Sequence, residues 1–161
     1  MSQTEVSPLA QALGRVSSGL YIVTTQSQDG APMGFLGSFV VQVGFEPPTV
    51  AVAIADGRDH LDAIRENGHF GLSIIDGESS GLMGAFFRKY EPGQSPFDEI
   101  ETQTIECGVP VLSGALGWLG CRLTSEHKPC EHVVLFGEVV EGSMLREGTP
   151  SSHVRKNGLS Y

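Results

Sequence analysis

Apolar and polar positions alternate along this chain in short blocks. Ser7 and Pro8 suit the cap and first turn of a helix, and Leu9, Leu13 and Val16 then recur on one helical face. Gly19 to Thr25 is rich in β-branched and aromatic residues and predicts a strand. Asp29-Gly30 marks a turn. A second strand is predicted from Met33 through Val43, ended by Glu46-Pro47-Pro48. Thr49 to Ile54 is nearly all apolar, the pattern of a strand covered on both faces. Asp59 is placed to cap a helix carrying Leu61 and Ile64, which Asn67-Gly68 closes. His69 to Ile75 predicts another strand, and Leu82, Met83, Phe86 and Phe87 form the stripe of a further short helix.

From Glu91 to Ser113 the periodicity breaks around Pro92, Gly93, Pro96, Gly108 and Pro110. Long excursions of this kind serve function or an interface. Two strands follow, Leu116 to Thr124 and His132 to Val140, and then a polar, basic tail from Ser151 to Tyr161. Adjacent strands with tight turns and a few short helices predict an antiparallel barrel rather than βαβ units. Trp118 on its strand, and His69 and His127, read as structural.

Composition narrows the function classes. With 161 residues, 40% hydrophobic and 18% charged, the chain suits one globular domain spanning residues 1–161. Its 21 glycines and 9 prolines agree with many turns. A net charge of −9 opposes binding to nucleic acid or to anionic membranes, so any bound anion needs a local basic spot. Cys107, Cys121 and Cys130 form no CxxC pair and suit a reducing compartment. With no signal-like start and no long apolar run, a soluble, cytoplasmic protein is expected. GxGxxG, GxxxxGK[ST] and HExxH are absent, so any nicotinamide must bind without a dedicated nucleotide fold.

Four stretches carry candidate chemistry. Gly34, Gly37 and Ser38 are small residues inside a strand pattern, which suits either close approach of a flat ligand or a bend at a barrel corner. Arg58-Asp59-His60 opens a helix, where free N–H groups beside arginine suit a phosphate, although the residues by themselves favour a plain surface turn capped by Asp59. Arg88-Lys89 after Phe86-Phe87 is a second basic spot, or a solvated helix end. His132, beside Glu131 and close to Cys130, suits proton donation or a contact for nicotinamide. Cys130 and His132 alone fall short of the ligands zinc needs, so no metal is expected.

Taken in order, these stretches resemble the flavin reductase-like family, the FMN-binding split barrels. Ala12-Leu13-Gly14-Arg15-Val16 leading into Tyr21-Ile22-Val23-Thr24-Thr25 is similar to the family's opening. Gly34 to Pro48 resembles its flavin-contacting segment. Gly108 to Leu112, Ala115 to Cys121, and His132 with Gly137-Glu138-Val139-Val140 resemble later elements, and His153 to Gly158 with Tyr161 its closing motif. The likeness is nearest to the C-terminal flavin reductase modules of flavodiiron proteins.

The resemblance implies a six-stranded antiparallel Greek-key split barrel that works as a homodimer, with FMN, in preference to FAD, near the interface. It places Gly37, Ser38, Phe39 and Val40 around the ring, and Arg58, Asp59 and His60 at the phosphate. Phe86, Arg88 and Lys89 would close over the ribityl phosphate, with His132 near the nicotinamide as the catalytic residue. Many members carry Thr-Ala-Asn-Ser where this chain has Leu36-Gly37-Ser38-Phe39, which shifts polar contacts with the flavin toward backbone N–H groups. The implied activity is that of an NAD(P)H:flavin oxidoreductase passing electrons to an acceptor. Two alternatives remain: an FMN electron-carrier module reduced by a protein such as rubredoxin, and a split barrel that holds haem or no cofactor.

Overall fold

The computed structural model describes residues 5–161. Helix α1 (Pro8–Gly14) starts as expected: the Ser7 hydroxyl accepts a hydrogen bond from the Ala10 amide at 3.2 Å, and Pro8 takes the first turn. Its apolar stripe points the other way from the expectation. Leu9, Leu13 and Val16 are exposed, whereas Ala10 and Gly14 are buried. The small face is covered because the C-terminal tail crosses it at backbone distance. Arg155 N–H donates to the Gly14 carbonyl at 2.8 Å and Gly158 N–H to the Ala10 carbonyl at 2.7 Å. A Cβ on Gly14 would stand 2.2 Å from the Arg155 carbonyl oxygen, so only glycine admits the crossing.

The strands are β1 (Tyr21–Gln26), β2 (Pro32–Gly37), β3 (Val40–Phe45), β4 (Pro48–Ala55), β5 (His69–Ile74), β6 (Thr102–Thr104), β7 (Pro110–Leu112), β8 (Gly117–His127) and β9 (His132–Met144). Seven of them form one antiparallel sheet in the order β2-β1-β5-β8-β9-β4-β3. The sheet is not closed by pairing and has seven strands where six were expected. The reason is local: the strand expected from Met33 through Val43 breaks at Ser38-Phe39 into β2 and β3.

Those two strands sit at opposite edges of the sheet, yet only two residues join them. Laid flat, seven strands would separate the edges by about 29 Å. Gly37 to Val40 can reach at most ~11 Å. The sheet must therefore curl until its edges nearly meet, and Ser38-Phe39 bridges the split.

Helix α2 (Asp59–Asn67) packs Leu61 and Ile64 into the main core with Val23, Val52, Phe70, Leu72 and Leu135. Arg58, not Asp59, holds its N-cap position, and no side chain caps it. Gly68, at φ 77°, ends it in the left-handed conformation that glycine tolerates. The next helix is a 3-10 turn, Ser80–Phe86, whose Leu82, Met83 and Phe86 pack inward while Phe87 stays exposed. The long excursion folds back as the β6–β7 ribbon, burying Val109, Val111 and Leu112. Trp118 packs on this ribbon, as its structural reading expected.

The chain after β9 is fastened at three places. Arg146 forms a two-pronged ion pair with the buried Asp76 carboxylate, and the guanidinium, with the Ser79 hydroxyl, holds that carboxyl well below the usual range. Pro150 bridges to Asp76, and His153 to Ser18. These fastenings carry the tail to α1 and to the split. No helix among the described residues is long and apolar enough to cross a membrane.

Candidate functional site

The split between β2 and β3 opens into a cleft of about 500 Å³, a size suited to a small organic ligand. Leu36, Gly37, Ser38 and Phe39 form one wall, and Ala53, Ile54 and Ala55 of β4 the floor. Arg58, Phe86, Phe87, His132 and Tyr161 stand around the rim. Of the expected residues, Gly37, Ser38, Phe39, Arg58, Phe86 and His132 are thus brought together. Val40 lines a second compartment of about 520 Å³, which shares Ser38, Phe39, Ala53 and His153 with the cleft.

The bridging dipeptide belongs to neither edge ladder. The Phe39 carbonyl accepts from the Ala53 amide at 2.9 Å, but among the described residues the Ser38 and Phe39 amides donate to no protein oxygen. The Ser38 hydroxyl lies 3.3 Å from the Tyr161 hydroxyl. Backbone donors at a cavity wall normally find a partner. Here they offer one to a ligand with carbonyl oxygens or ring nitrogens, so this donor set fits the pyrimidine edge of a flavin.

Phe39 is the centre of an aromatic cluster. His132 meets it edge-on at 5.6 Å between centroids, and Tyr161 lies 5.6 Å away at 40°. The Arg155 guanidinium sits 5.1 Å from the Phe39 centroid and 5.2 Å from that of Tyr161. His132 Nδ1 is 3.2 Å from the Glu131 carboxylate. Across the cleft, the Arg58 guanidinium lies 5.3 Å from the Phe35 centroid.

Charge pairing separates these two arginines from most other basic groups. Arg65, Arg88, Arg122, Lys128 and Arg146 all have carboxylate partners. Arg58 and Arg155 have none among the described residues, although acids outnumber bases 19 to 10. In a molecule of net charge −9, two unpaired guanidiniums beside one cleft form the local basic spot that an anion requires.

Several expected residues lie elsewhere. His60 turns away from the cleft: its Nε2 bonds the Gly34 carbonyl at 3.1 Å and its ring meets Phe35 edge-on at 5.0 Å. Burial pulls its pKa below the ordinary 6.5, against a smaller opposing pull from that carbonyl. Asp59 is exposed in the first turn of α2, outside the cleft lining. Arg88 pairs with Glu99 at 2.9 Å and Lys89 is exposed; neither lines the cleft. The 3-10 turn ends at Phe86, two residues before Arg88, so no helix carries them toward the split.

The small residues also serve a purpose other than ligand access. A Cβ on Gly34 would stand 2.9 Å from the Phe97 ring, and one on Gly37 2.9 Å from Val23 Cγ2. Both make room for the protein's own side chains. Cys130, Glu131 and His132 place ligand-type atoms within 4.8 Å of one another, but Cys130 and Glu131 are exposed and three such groups fall short of a closed zinc set.

Arg155, Tyr161, His153, Phe35 and Phe87 join the cleft or its borders without having been singled out for it. The signal was present for the first three: a basic, aromatic-ended tail in an otherwise acidic chain.

Comparison with known proteins shows the family and the fold. A family model described as "Flavin reductase like domain" matches residues 13–157. Diflavin flavoprotein A 1 of Synechocystis is 34% identical over 157 residues, covering 96% of this chain and 27% of that protein. A second Synechocystis diflavin flavoprotein, A 3, is 34% identical over 162 residues, covering all of this chain and again 27% of the relative. The chain thus spans about a quarter of the length of these flavodiiron relatives. Among solved structures, nitrilotriacetate monooxygenase component B from Mycobacterium thermoresistibile superposes with a TM-score of 0.82 at 25% identity, covering 91% of this chain and 80% of that one. The NADH:FAD oxidoreductase of Streptomyces globisporus shares the fold, with a TM-score of 0.82 at 19% identity over 95% of this chain and 93% of that one.

Proposed function

The chain belongs to the flavin reductase-like family, and on that premise we propose that the split between β2 and β3 binds FMN, in preference to FAD, and that NAD(P)H reduces it there. A flavin-related redox module is the coarser statement that family membership itself supports. The observation carrying the proposal is that the Ser38 and Phe39 amides, unpartnered among the described residues, and the unpaired Arg58 line one mainly apolar cleft.

The residues divide the work as follows. The Ser38 and Phe39 N–H groups donate to the polar edge of the ring, as oriented dipoles that need no reorganisation. Phe39 and Leu36 give it apolar cover, and Arg58 holds the phosphate. His132, beside Phe39, contacts the nicotinamide and holds a proton at its ring nitrogen, with Glu131 orienting Nδ1. A bound flavin would supply the two-electron and one-electron chemistry that no side chain here provides.

We assign residues 1–161 to a single such domain. A homodimer is part of the same proposal. The β3 edge is unpaired and exposes Val41, Val43 and Phe45, the last 89% accessible, a surface that isolated proteins avoid. A second copy would cover it, and light scattering is expected to give twice the chain mass.

The deciding experiment is the visible spectrum of the purified protein with and without added FMN, followed by anaerobic mixing with NADH or NADPH. Bound flavin that bleaches with either supports the reductase. A colourless protein that takes up no FMN defeats the flavin reading. The acidic surface and the multidomain flavodiiron relatives favour one rival, an electron-carrier module; flavin bleached only by a rubredoxin-like donor would select it.

A further inference from the structure

Arg155 is the second unpaired arginine beside the cleft, and the flavin reading above gives it no task. Its side chain is nonetheless held firmly. The Arg155 amide donates to the Gly14 carbonyl at 2.8 Å, and the guanidinium is flanked by the Phe39 and Tyr161 rings. Fixing a long, rotamer-rich side chain costs conformational entropy, and no ion pair offsets that cost here. Contact with the ring faces leaves the N–H donors of the guanidinium unused among the described residues.

Arg155 also lies in a different compartment from Arg58. The cleft holds Arg58, and the adjoining compartment of about 520 Å³ holds Arg155. Leu13 of α1, Val16 just after it, and Val40 and Ala51 of β3 and β4 give that compartment apolar walls, with Ser17, Ser18, Ser38 and His153 as its polar groups. The two spaces meet at Ser38 and Phe39. Each therefore presents an apolar interior and one arginine laid on a phenylalanine.

We propose that Arg155 recognises the phosphates of a pyridine dinucleotide, whose adenosine end occupies the compartment between α1 and β3–β4. This rests on the flavin reading for what lies beyond Phe39. A mononucleotide flavin brings one phosphate, which Arg58 serves; a second fixed cation beside a second apolar space calls for a second anionic ligand with a flat ring. A dinucleotide has that chemistry: two aromatic ends joined by charged phosphates. The chain has no glycine-rich phosphate loop to hold it, and a net charge of −9 disfavours it everywhere except near an unpaired cation.

The test is calorimetric titration of NAD+ and of NADP+ into the native protein, Arg155→Met and Arg155→Lys, with FMN affinity measured separately by fluorescence quenching. Replacing the guanidinium by Met removes charge-assisted hydrogen bonds, so dinucleotide binding is expected to weaken about tenfold or more. Lys is expected to restore part of that, and FMN affinity to stay within about twofold of native. Dinucleotide affinity unchanged in Arg155→Met, or absent in the native protein, overturns the proposal. FMN affinity falling as far as dinucleotide affinity overturns it too, since Arg155 would then hold the flavin phosphate. A shift to monomer on light scattering in Arg155→Met, with both affinities unchanged, would make the arginine an interface residue instead. Should the native protein bind dinucleotide in an Arg155-dependent way yet refuse FMN, the flavin reading fails while this assignment stands.

Discussion

Replacing Gly14 by Ala sets two opposed effects against each other. Alanine favours a helix over glycine by about 1 kcal/mol, so α1 considered alone predicts a stabler protein. The tail reverses the sign. The new Cβ would stand 2.2 Å from the Arg155 carbonyl oxygen and 3.0 Å from its carbon, both backbone atoms that no side-chain rotation can remove. Ordinary contact requires the tail to retreat by about 1 Å. That retreat loosens two hydrogen bonds, Arg155 N–H to Gly14 at 2.8 Å and Gly158 N–H to Ala10 at 2.7 Å, each contributing roughly 1 kcal/mol net. Lost packing along the crossing adds to this. The balance is a destabilisation of about 1–2 kcal/mol, which for a chain of this size lowers Tm by roughly 3–6 °C. The assay is thermal and urea unfolding alongside Gly84→Ala, where a Cβ meets nothing within 4 Å and no such fall is expected. Hydrogen exchange at the Arg155 and Gly158 amides should quicken in Gly14→Ala. A Tm that is unchanged or raised, with exchange unaltered, would refute the reasoning, because the tail would not be pressed on the helix.

Other outcomes follow from the same structure. Arg58→Met is expected to weaken FMN binding about tenfold, read by fluorescence quenching, because it removes the unpaired cation of the cleft; equal affinity would remove Arg58 from the phosphate site. Thiol labelling of the native protein should modify only the exposed Cys130. Burial, with Glu141 adding to it, pushes the Cys107 thiol up to about 11, and burial pushes the inaccessible Cys121 up to about 12; rapid reaction at a second thiol would contradict this. Burial holds His60 below 6.5 in the folded state, so just below that pH the unfolded chain binds more protons and stability falls on acidification. Urea midpoints at about pH 5.5 and about pH 7.5 should differ less in His60→Gln than in the native protein; an identical difference would clear His60 of that role.

Much of this molecule was legible in its residue pattern. Strand and turn signals at Tyr21–Gln26, Asp29-Gly30, His69–Ile74 and the two long final strands are local, and local chemistry sets them. The cap at Ser7 and the stop at Gly68 are likewise properties of a few adjacent residues. The ordered motifs sufficed to point to the family, and Gly37 to Phe39, Arg58, Phe86 and His132 do meet at one cleft.

Tertiary structure decided what distance along the chain conceals. An apolar run from Met33 to Val43 carries no mark of the break at Ser38-Phe39. That break follows from sheet closure, which sends β2 and β3 to opposite edges and makes two residues span the gap. The stripe on α1 faces outward because a tail more than 140 positions away takes the glycine side. His60 leaves the site because the Gly34 carbonyl and Phe35 satisfy it first, and Arg155 comes to border it because the tail docks beside Phe39. Periodicity reports which face of an element is apolar, but which partner reaches that face depends on where the whole chain folds back.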